Sequence, residues 1–304
     1  MKIRFDQKFG SQFFDQIPSQ PGVYRFLDST GRAIYVGKAK NLRRRLGQYR
    51  RARRLKAHRK MRTLVEKADK IIWQCLATET DALLEEARLI RELRPCWNVA
   101  GAFSFLYPYL GISQTGQITQ IYLTHRPTEH DSAELFGCYR SRKFTELAFD
   151  SLNELLGFVA PRVPRREKLA HGAAGPGGWV RPEKIAAFRG LHPEWMERLR
   201  LFLREGSTQA LEELVLELSD YPAARRSGRQ VQLHLNALKY FKKWEVLPLK
   251  RERSVQPEAA YPVAQKDRDP MFILLSVKKA EAKGRALNAE KTKSIQGSRF
   301  FQNF

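Results

Sequence analysis

The stretch Pro21 to Tyr49, PGVYRFLDSTGRAIYVGKAKNLRRRLGQY, constrains this chain more than any other. Two runs, Gly22 to Leu27 and Ala33 to Gly37, flank the polar segment Asp28 to Arg32, and the pattern predicts a β-hairpin. Each predicted strand carries one tyrosine, Tyr24 and Tyr35. Beyond Gly37, Lys38 and Lys40 lead to Asn41, a favourable N-cap, so a helix begins at Leu42. On a helical wheel Leu42, Leu46 and Tyr49 share one side, Arg45 borders that stripe, and Arg43 and Arg44 point away. Arg45 is therefore the arginine set to face whatever the hairpin faces, whereas Tyr49 reads as packing.

Charge narrows the choice of partner. With 55 Lys and Arg against 32 Asp and Glu, the chain carries a formal charge of +23 and calls for a polyanion or a membrane surface. No apolar run approaches ~18 residues and MKIRFDQKF lacks a hydrophobic signal region, so a soluble, unsecreted chain acting in the cytoplasm is expected, with nucleic acid as its partner and no membrane. Between Lys38 and Arg62 stand thirteen basic residues and no acidic one: Lys38, Lys40, Arg43, Arg44, Arg45, Arg50, Arg51, Arg53, Arg54, Lys56, Arg59, Lys60 and Arg62. A solvated helix face normally mixes signs, so this run reads as a DNA phosphate-binding surface, the alternative being a solubilising face. Such contacts position a duplex without reading its sequence.

Cys75, Cys96 and Cys138 are too few and too far apart for a disulfide framework or a CxxC metal site, and read as buried or semi-buried packing residues. The six histidines show no ligand spacing. Ile71 to Ala77 reads as a strand, and Thr78 with Asp81 caps a helix that Pro95 ends near Leu93. Around that helix Ala82, Leu83, Leu84, Ala87, Leu89, Ile90 and Leu93 form one apolar arc. Glu86 falls inside the arc, while Glu85 and Glu92 lie on the polar side. A carboxylate on a core-facing arc is costly unless a cation receives it. It either snorkels to solvent, pairs with an arginine, or holds a metal ion.

Around this region, residues 1–19 form a lead-in whose Phe5, Phe9, Phe13 and Phe14 recur at roughly helical spacing, and Phe144 to Leu156 reads as a helix. Residues 161–182, rich in Pro, Gly and basic residues, read as a linker. Residues 183–277 are mainly helical in pattern, with helices at Glu194 to Arg204, Thr208 to Leu218 and Ala223 to Phe241, and with Met271 to Val277 as one further strand. Residues 278–304 read as a basic, mobile tail whose final aromatics either fold back onto the core, the favoured reading, or dock a partner.

Gly22-Val23-Tyr24, followed by Tyr35-Val36-Gly37-Lys38, Asn41-Leu42 and Arg45, resembles the GIY-YIG nuclease family, and PGVYRF with YVGKAKNLRRRL resembles its UvrC branch. ETDALLEEARLIRELRPCWN is similar to the UvrC segment that supplies a single metal-binding glutamate and a following asparagine, which implies Glu86 and Asn98. The implied fold is α/β (α+β): a nuclease domain over residues 20–100 with a small central sheet flanked by helices, then a small β/α extension over 101–160. The implied site is Tyr24, Tyr35, Lys38, Arg45, Glu86 and Asn98, with Glu86 holding one divalent cation, Mg²⁺ or Mn²⁺. Either tyrosine could be the general base if neighbouring positive charge lowers its phenol.

The implied activity is metal-dependent DNA hydrolysis in nucleotide excision repair, on the 3′ side of a lesion, as in the single-module Cho type of UvrC homologue. The chain is expected to be a monomer, with UvrB on damaged DNA as the implied protein partner. The cysteine cluster of that group is missing, so no iron–sulfur cluster is expected. The segment FLREGSTQALEELVLELSDYPAARRSGRQVQLHLNALKYF parallels the UvrC hairpin that docks on UvrB but lacks its Phe-Glu-x-Ala-Ala signature. A stand-alone GIY-YIG nuclease and a non-catalytic DNA-binding protein on the same fold are the alternatives.

Overall fold

The computed structural model describes residues 5–53, 55–98, 107–130, 133–164 and 183–300, with side chains described to residue 283. The chain forms two compact units, Met1–Ser104 with Phe272–Phe304, and Phe105–Met271.

In the first unit, helix α1 (Phe5–Phe9) and a 3₁₀ turn (Ser11–Gln16) gather the lead-in phenylalanines. The Phe5 ring lies 4.8 Å from Phe9 and 5.4 Å from Phe14, and Phe13 meets Trp73 edge-on at 5.6 Å. Strands β1 (Gly22–Leu27) and β2 (Ala33–Ala39) form the expected hairpin. Asp28 Oδ1 accepts from the Thr30 and Arg32 amides, each at 3.0 Å, and Gly31 adopts the positive φ the turn requires.

Helix α2 (Leu42–Arg50) starts where Asn41 Oδ1 accepts from the Arg44 amide at 2.8 Å, a cap of roughly 1 kcal/mol. Helix α3 (Arg59–Lys67) and strand β3 (Lys70–Cys75) follow, and β1 pairs with both neighbours in the antiparallel order β2-β1-β3. Helix α4 (Glu79–Leu93) opens on the capping box of Thr78 and Asp81.

The register pairs Tyr24 with Gly37 and Phe26 with Tyr35, so these four share one sheet face. On that face Tyr24 and Phe26 pack with Leu42, Leu46 and Tyr49 of α2 and with Leu64 and Val65 of α3. On the other, Val23 and Val36 meet Ala82, Leu89 and Ile90 of α4. The buried stripe of α4 is narrower than its apolar arc, and Leu93 is exposed. The central strand approaches its neighbour closely at Gly22, where a Cβ would lie 2.2 Å from the Gln74 carbonyl oxygen.

The second unit begins with β4 (Tyr109–Thr115), β5 (Ile118–Thr124), β6 (Glu134–Gly137) and helix α5 (Arg142–Val159). Strand β7 (Lys184–Arg189) completes an antiparallel sheet of order β6-β4-β5-β7. Helices α6 (Pro193–Arg200), α7 (Thr208–Asp220), α8 (Pro222–Arg226), α9 (Gly228–Phe241) and α10 (Leu247–Arg253) follow, and π turns at Leu201–Glu205 and Lys242–Val246 extend α6 and α9; α11 (Gln265–Phe300) starts in this unit, and from Phe272 its residues belong to the first. Leu152 and Leu155 of α5, Leu211 and Leu214 of α7, and Leu235, Leu238 and Phe241 of α9 share the core with the sheet.

Three expectations are corrected. The segment 161–182 does not divide domains: β7, beyond it, pairs with β5, and the Val163 amide donates to the Ala187 carbonyl at 2.8 Å, so both flanks belong to one unit. Residues 165–182 lie outside the described residues. Met271 to Val277 is helix within α11, which also runs on through the expected tail, because a short apolar run takes its conformation from its flanks and here they are rich in Lys, Ala and Glu. The final aromatics lie outside the described side chains. Cys75 and Cys96 are exposed and only Cys138 is buried, its thiol pushed up to about 12 by burial. Cys75 ends a strand and Cys96 sits in a turn, where packing is incomplete.

A fully buried ion pair, Arg268 with Glu252, ties α11 to α10, and Arg268 Nε also donates to the Cys138 carbonyl at 2.7 Å. Arg268→Met strands the Glu252 charge, and a loss of about 3–5 kcal/mol in urea denaturation of the second unit is expected. Arg268→Met with Glu252→Leu removes both charges and should recover most of that loss; equal losses in the single and double variants would exclude the pair as the anchor.

Candidate active site

Four elements bring the expected residues to one edge of the first unit's sheet. Tyr24 stands on β1, Tyr35 and Lys38 on β2, Arg45 on the second turn of α2, Glu86 midway along α4, and Asn98 in the turn beyond it. The Tyr24 ring is fully buried, and Arg45 Nε donates to its hydroxyl at 3.1 Å. The Tyr24 and Tyr49 hydroxyls share a hydrogen bond of 3.0 Å. Gly37 makes room for this arrangement, since a Cβ there would fall 2.5 Å from the Tyr24 hydroxyl. The second glycine of the hairpin motif is thus set by close approach of a side chain rather than by a turn.

A general base at this site needs a lowered phenol, and Tyr24 goes the other way. Burial, reinforced by the neighbouring Tyr35, pushes it up to about 12 despite the opposing charge of Arg45. Tyr49, expected as packing, is also raised by burial, yet its hydroxyl completes the Tyr24 network. Its i+4 spacing from Arg45 was the available signal. Tyr35 is only half-buried, its ring centroid 6.2 Å from that of Tyr24 and 4.8 Å from Lys60 Nζ.

Glu86 is half-buried and its Oε1 accepts from the Lys38 backbone amide at 3.1 Å. Burial raises its pKa, while the positive charges of Lys38 and Arg45 pull it down without winning. The polar-side carboxylates differ: Glu85 and Glu92 both bind Arg88, at 2.7 and 2.6 Å. Glu86 is therefore a partly desolvated carboxylate with its charge incompletely compensated, and a divalent cation suits it. Among the described residues no group of three or more His, Cys, Asp or Glu is clustered to hold a metal, so Glu86 would be a lone protein carboxylate at such a site.

Asn98 is buried, and its amide is spent on the backbone of β2: Oδ1 accepts from the Val36 amide and Nδ2 donates to the Val36 carbonyl, both at 2.8 Å. With the Trp97 amide donating to the Ile34 carbonyl at 3.0 Å, the turn after α4 covers the open edge of β2. Lys38 reaches Glu86 through its backbone amide, and its Nζ lies 4.0 Å from Glu79. Two further residues support the site without having been expected. Gln48 accepts from Arg45 Nη1 at 2.6 Å, and Glu79 pairs with Lys40 at 2.7 Å.

The basic run divides in two. Lys40, Arg43 and Arg50 are paired with Glu79, Asp15 and Asp6, the last at 2.9 Å, so part of their charge is neutralised locally. Arg44, Arg51, Arg53, Lys56 and Arg59 are exposed, Lys60 covers Tyr35, and Arg62 is half-buried; Arg54 lies outside the described residues. Among the described residues no helix is long and apolar enough to cross a membrane.

A family model for the UvrC-like GIY-YIG domain matches residues 20–99. The UvrABC system protein C of Salinispora tropica is 39% identical over 123 residues, 40% of this chain and 18% of that protein. Its Flavobacterium johnsoniae counterpart is 37% identical over 139 residues, 46% of this chain and 23% of that protein. The chain thus spans about a fifth of the length of these relatives. Among solved structures, the magnesium-bound GIY-YIG N-terminal endonuclease domain of UvrC from Thermotoga maritima is 34% identical and covers 33% of this chain and 100% of that one, with a TM-score of 0.27. Residues 20–99 are thus similar to the UvrC-like GIY-YIG domain.

Proposed function

We propose that the chain is a metal-dependent endonuclease that hydrolyses a DNA phosphodiester in nucleotide excision repair, cutting on the 3′ side of a lesion. The observation that carries this reading is the convergence of Arg45, the two hairpin tyrosines and the incompletely compensated Glu86 at one edge of a small sheet. Hydrolysis needs an activated water, relief of charge on the non-bridging oxygens and support for the departing oxygen. Glu86 would hold a divalent cation, Mg²⁺ or Mn²⁺, and such a cation supplies charge relief at the phosphate and at the leaving oxygen.

Arg45 is oriented by Tyr24 and Gln48 and keeps a planar, permanently charged fork for a phosphate oxygen. Tyr24, with its phenol raised to about 12 and its oxygen already bonded to Arg45 and Tyr49, is better suited to holding Arg45 than to taking a proton. Tyr35, half-exposed beside the Lys60 ammonium, is therefore the proposed base. Asn98 fixes the edge strand that carries Tyr35 and the Lys38 amide.

UvrB-loaded damaged DNA is the proposed substrate complex. One observation favours a second reading, a UvrB-independent nuclease: the apolar residues Leu235, Leu238 and Phe241 of the hairpin that parallels the UvrB-docking one are spent on the second unit's own core. Nicking of a duplex with one bulky adduct, with and without UvrA and UvrB, separates the two, and absence of cutting under all conditions would favour a binding protein.

Glu86→Gln and Arg45→Ala should each lower nicking about 10²- to 10³-fold while leaving duplex binding within about twofold. Tyr35→Phe should cost at least as much as Tyr24→Phe, and the reverse order would move the base to Tyr24. Because metal binds the ionised carboxylate and the Glu86 pKa is raised, metal affinity should still climb with pH above the ordinary glutamate value near ~4.3, and should flatten in Glu86→Gln; titration calorimetry across pH reads this. Neutralising Arg44, Arg51, Arg53 and Lys56 should reduce the slope of log affinity against log salt by about 3–4, whereas the paired Lys40, Arg43 and Arg50 should contribute less per charge. Equal contributions per charge would exclude the division of the run.

A further inference from the structure

The helix that runs from α9 through its π turn into α10 carries two rings that the second unit does not cover. Tyr240 and Trp244 are four residues apart, hence on one side of the helix, and are 57% and 52% exposed. Large rings left this open call for a partner. Along their own stretch of chain the charge is mostly of one sign: from Arg225 to Arg251 there are eight basic residues and one acid, Glu245, and of the eight Lys250 is paired with Glu205 at 2.7 Å. Glu245 is buried and accepts from the Arg140 amide at 2.7 Å, so it does not offset the surface charge.

Lys243 Nζ lies 5.3 Å from the centre of the Trp244 ring, and Lys239 is exposed one residue before Tyr240. Among the described residues no carboxylate is within salt-bridge reach of Lys239 or Lys243. Lys239, Lys242 and Lys243 line, together with Glu212, a groove of about 540 Å³ between α7 and α9, and Tyr240 and Trp244 lie outside its lining.

We infer that this face is a stacking platform for single-stranded nucleic acid, with unpaired bases lying on Tyr240 and Trp244 and with Lys239 and Lys243 against the flanking phosphates. Every base has a π face, so exposed rings interleaved with lysines accept a strand whatever its sequence, while a duplex keeps its bases stacked on each other. A lipid surface is the less fitting partner, because the apolar residues of α9 are mostly turned inward, as Leu235, Leu238 and Phe241, and Leu233 is its exposed aliphatic. The platform belongs to the second unit and does not depend on hydrolysis at Glu86.

The test is anisotropy of a fluorescein-labelled thymidine oligonucleotide of about 20 nucleotides and of a duplex of the same length, titrated with the full chain in EDTA so that cleavage plays no part. Tyr240→Ala with Trp244→Ala should weaken the single-strand complex at least about tenfold and the duplex less than twofold, and Tyr240→Phe with Trp244→Phe should retain most of the affinity. Lys239→Gln with Lys243→Gln should lower the single-strand salt slope by about 1. The inference is overturned by unchanged single-strand affinity in the alanine pair, or by equal losses for both substrates with a lowered melting temperature. Binding to vesicles of anionic phospholipid with no response to the oligonucleotide also overturns it, in favour of a membrane surface.

Discussion

The candidate site depends on a close approach between two strands that one missing side chain allows. At Gly37 the edge strand carries nothing above its backbone, and the Tyr24 phenol from the central strand lies across that gap. From there its hydroxyl reaches both Arg45 and Tyr49 on α2. Any side chain at Gly37 would displace the ring that holds Arg45, so a backbone constraint on β2 is felt at a guanidinium on another element. The next residue, Lys38, uses its amide to fix Glu86 from the opposite side of the sheet. Two consecutive residues of one strand thus set both halves of the proposed chemistry.

That geometry also separates the roles of two tyrosines that look alike in the motif. Burial governs Tyr24, and a phenol raised to about 12 stays protonated at neutral pH, a state in which its oxygen can orient a cation but has little affinity for another proton. Tyr35 sits opposite Phe26 on the same face, nearer the rim, with the Lys60 ammonium over its ring. The positive charge sought around the phenols is present, but at Tyr24 desolvation outweighs it.

Local signals in the chain were legible because their causes are local. Asn41, the Thr78 and Asp81 capping box, the hairpin strands and the inward placement of Glu86 all follow from spacings of a few residues. Illegible were the interactions that join distant segments. Asp6, Asp15 and Glu79 neutralise Arg50, Arg43 and Lys40 from positions that no helical wheel relates to the basic run. Tyr49 was read as packing because its apolar neighbours at Leu42 and Leu46 explained its position, whereas its hydroxyl partner sits 25 residues away on β1. Asn98 was legible only through family resemblance, since its partner Val36 lies 62 residues earlier.

The misplaced domain boundary has the same origin. Proline and glycine in a sequence signal an interruption of regular structure, and such punctuation says nothing about which sheet the chain next enters. The strand that follows, KIAAFR, joins β5 at the edge of a sheet begun at Tyr109, and Phe188 buries its ring in the core that α5 had already started. What decides unity is that edge: β5 left unpaired would present a row of free amides and carbonyls, and β7 satisfies them. The same logic operates in the first unit, where the free edge of β2 is closed by the Asn98 amide rather than by a strand. Along that edge the Trp97 amide meets the Ile34 carbonyl, the Asn98 amide meets both backbone groups of Val36, and the Glu86 carboxylate meets the Lys38 amide, so the edge is closed residue by residue and its last contact is the carboxylate itself.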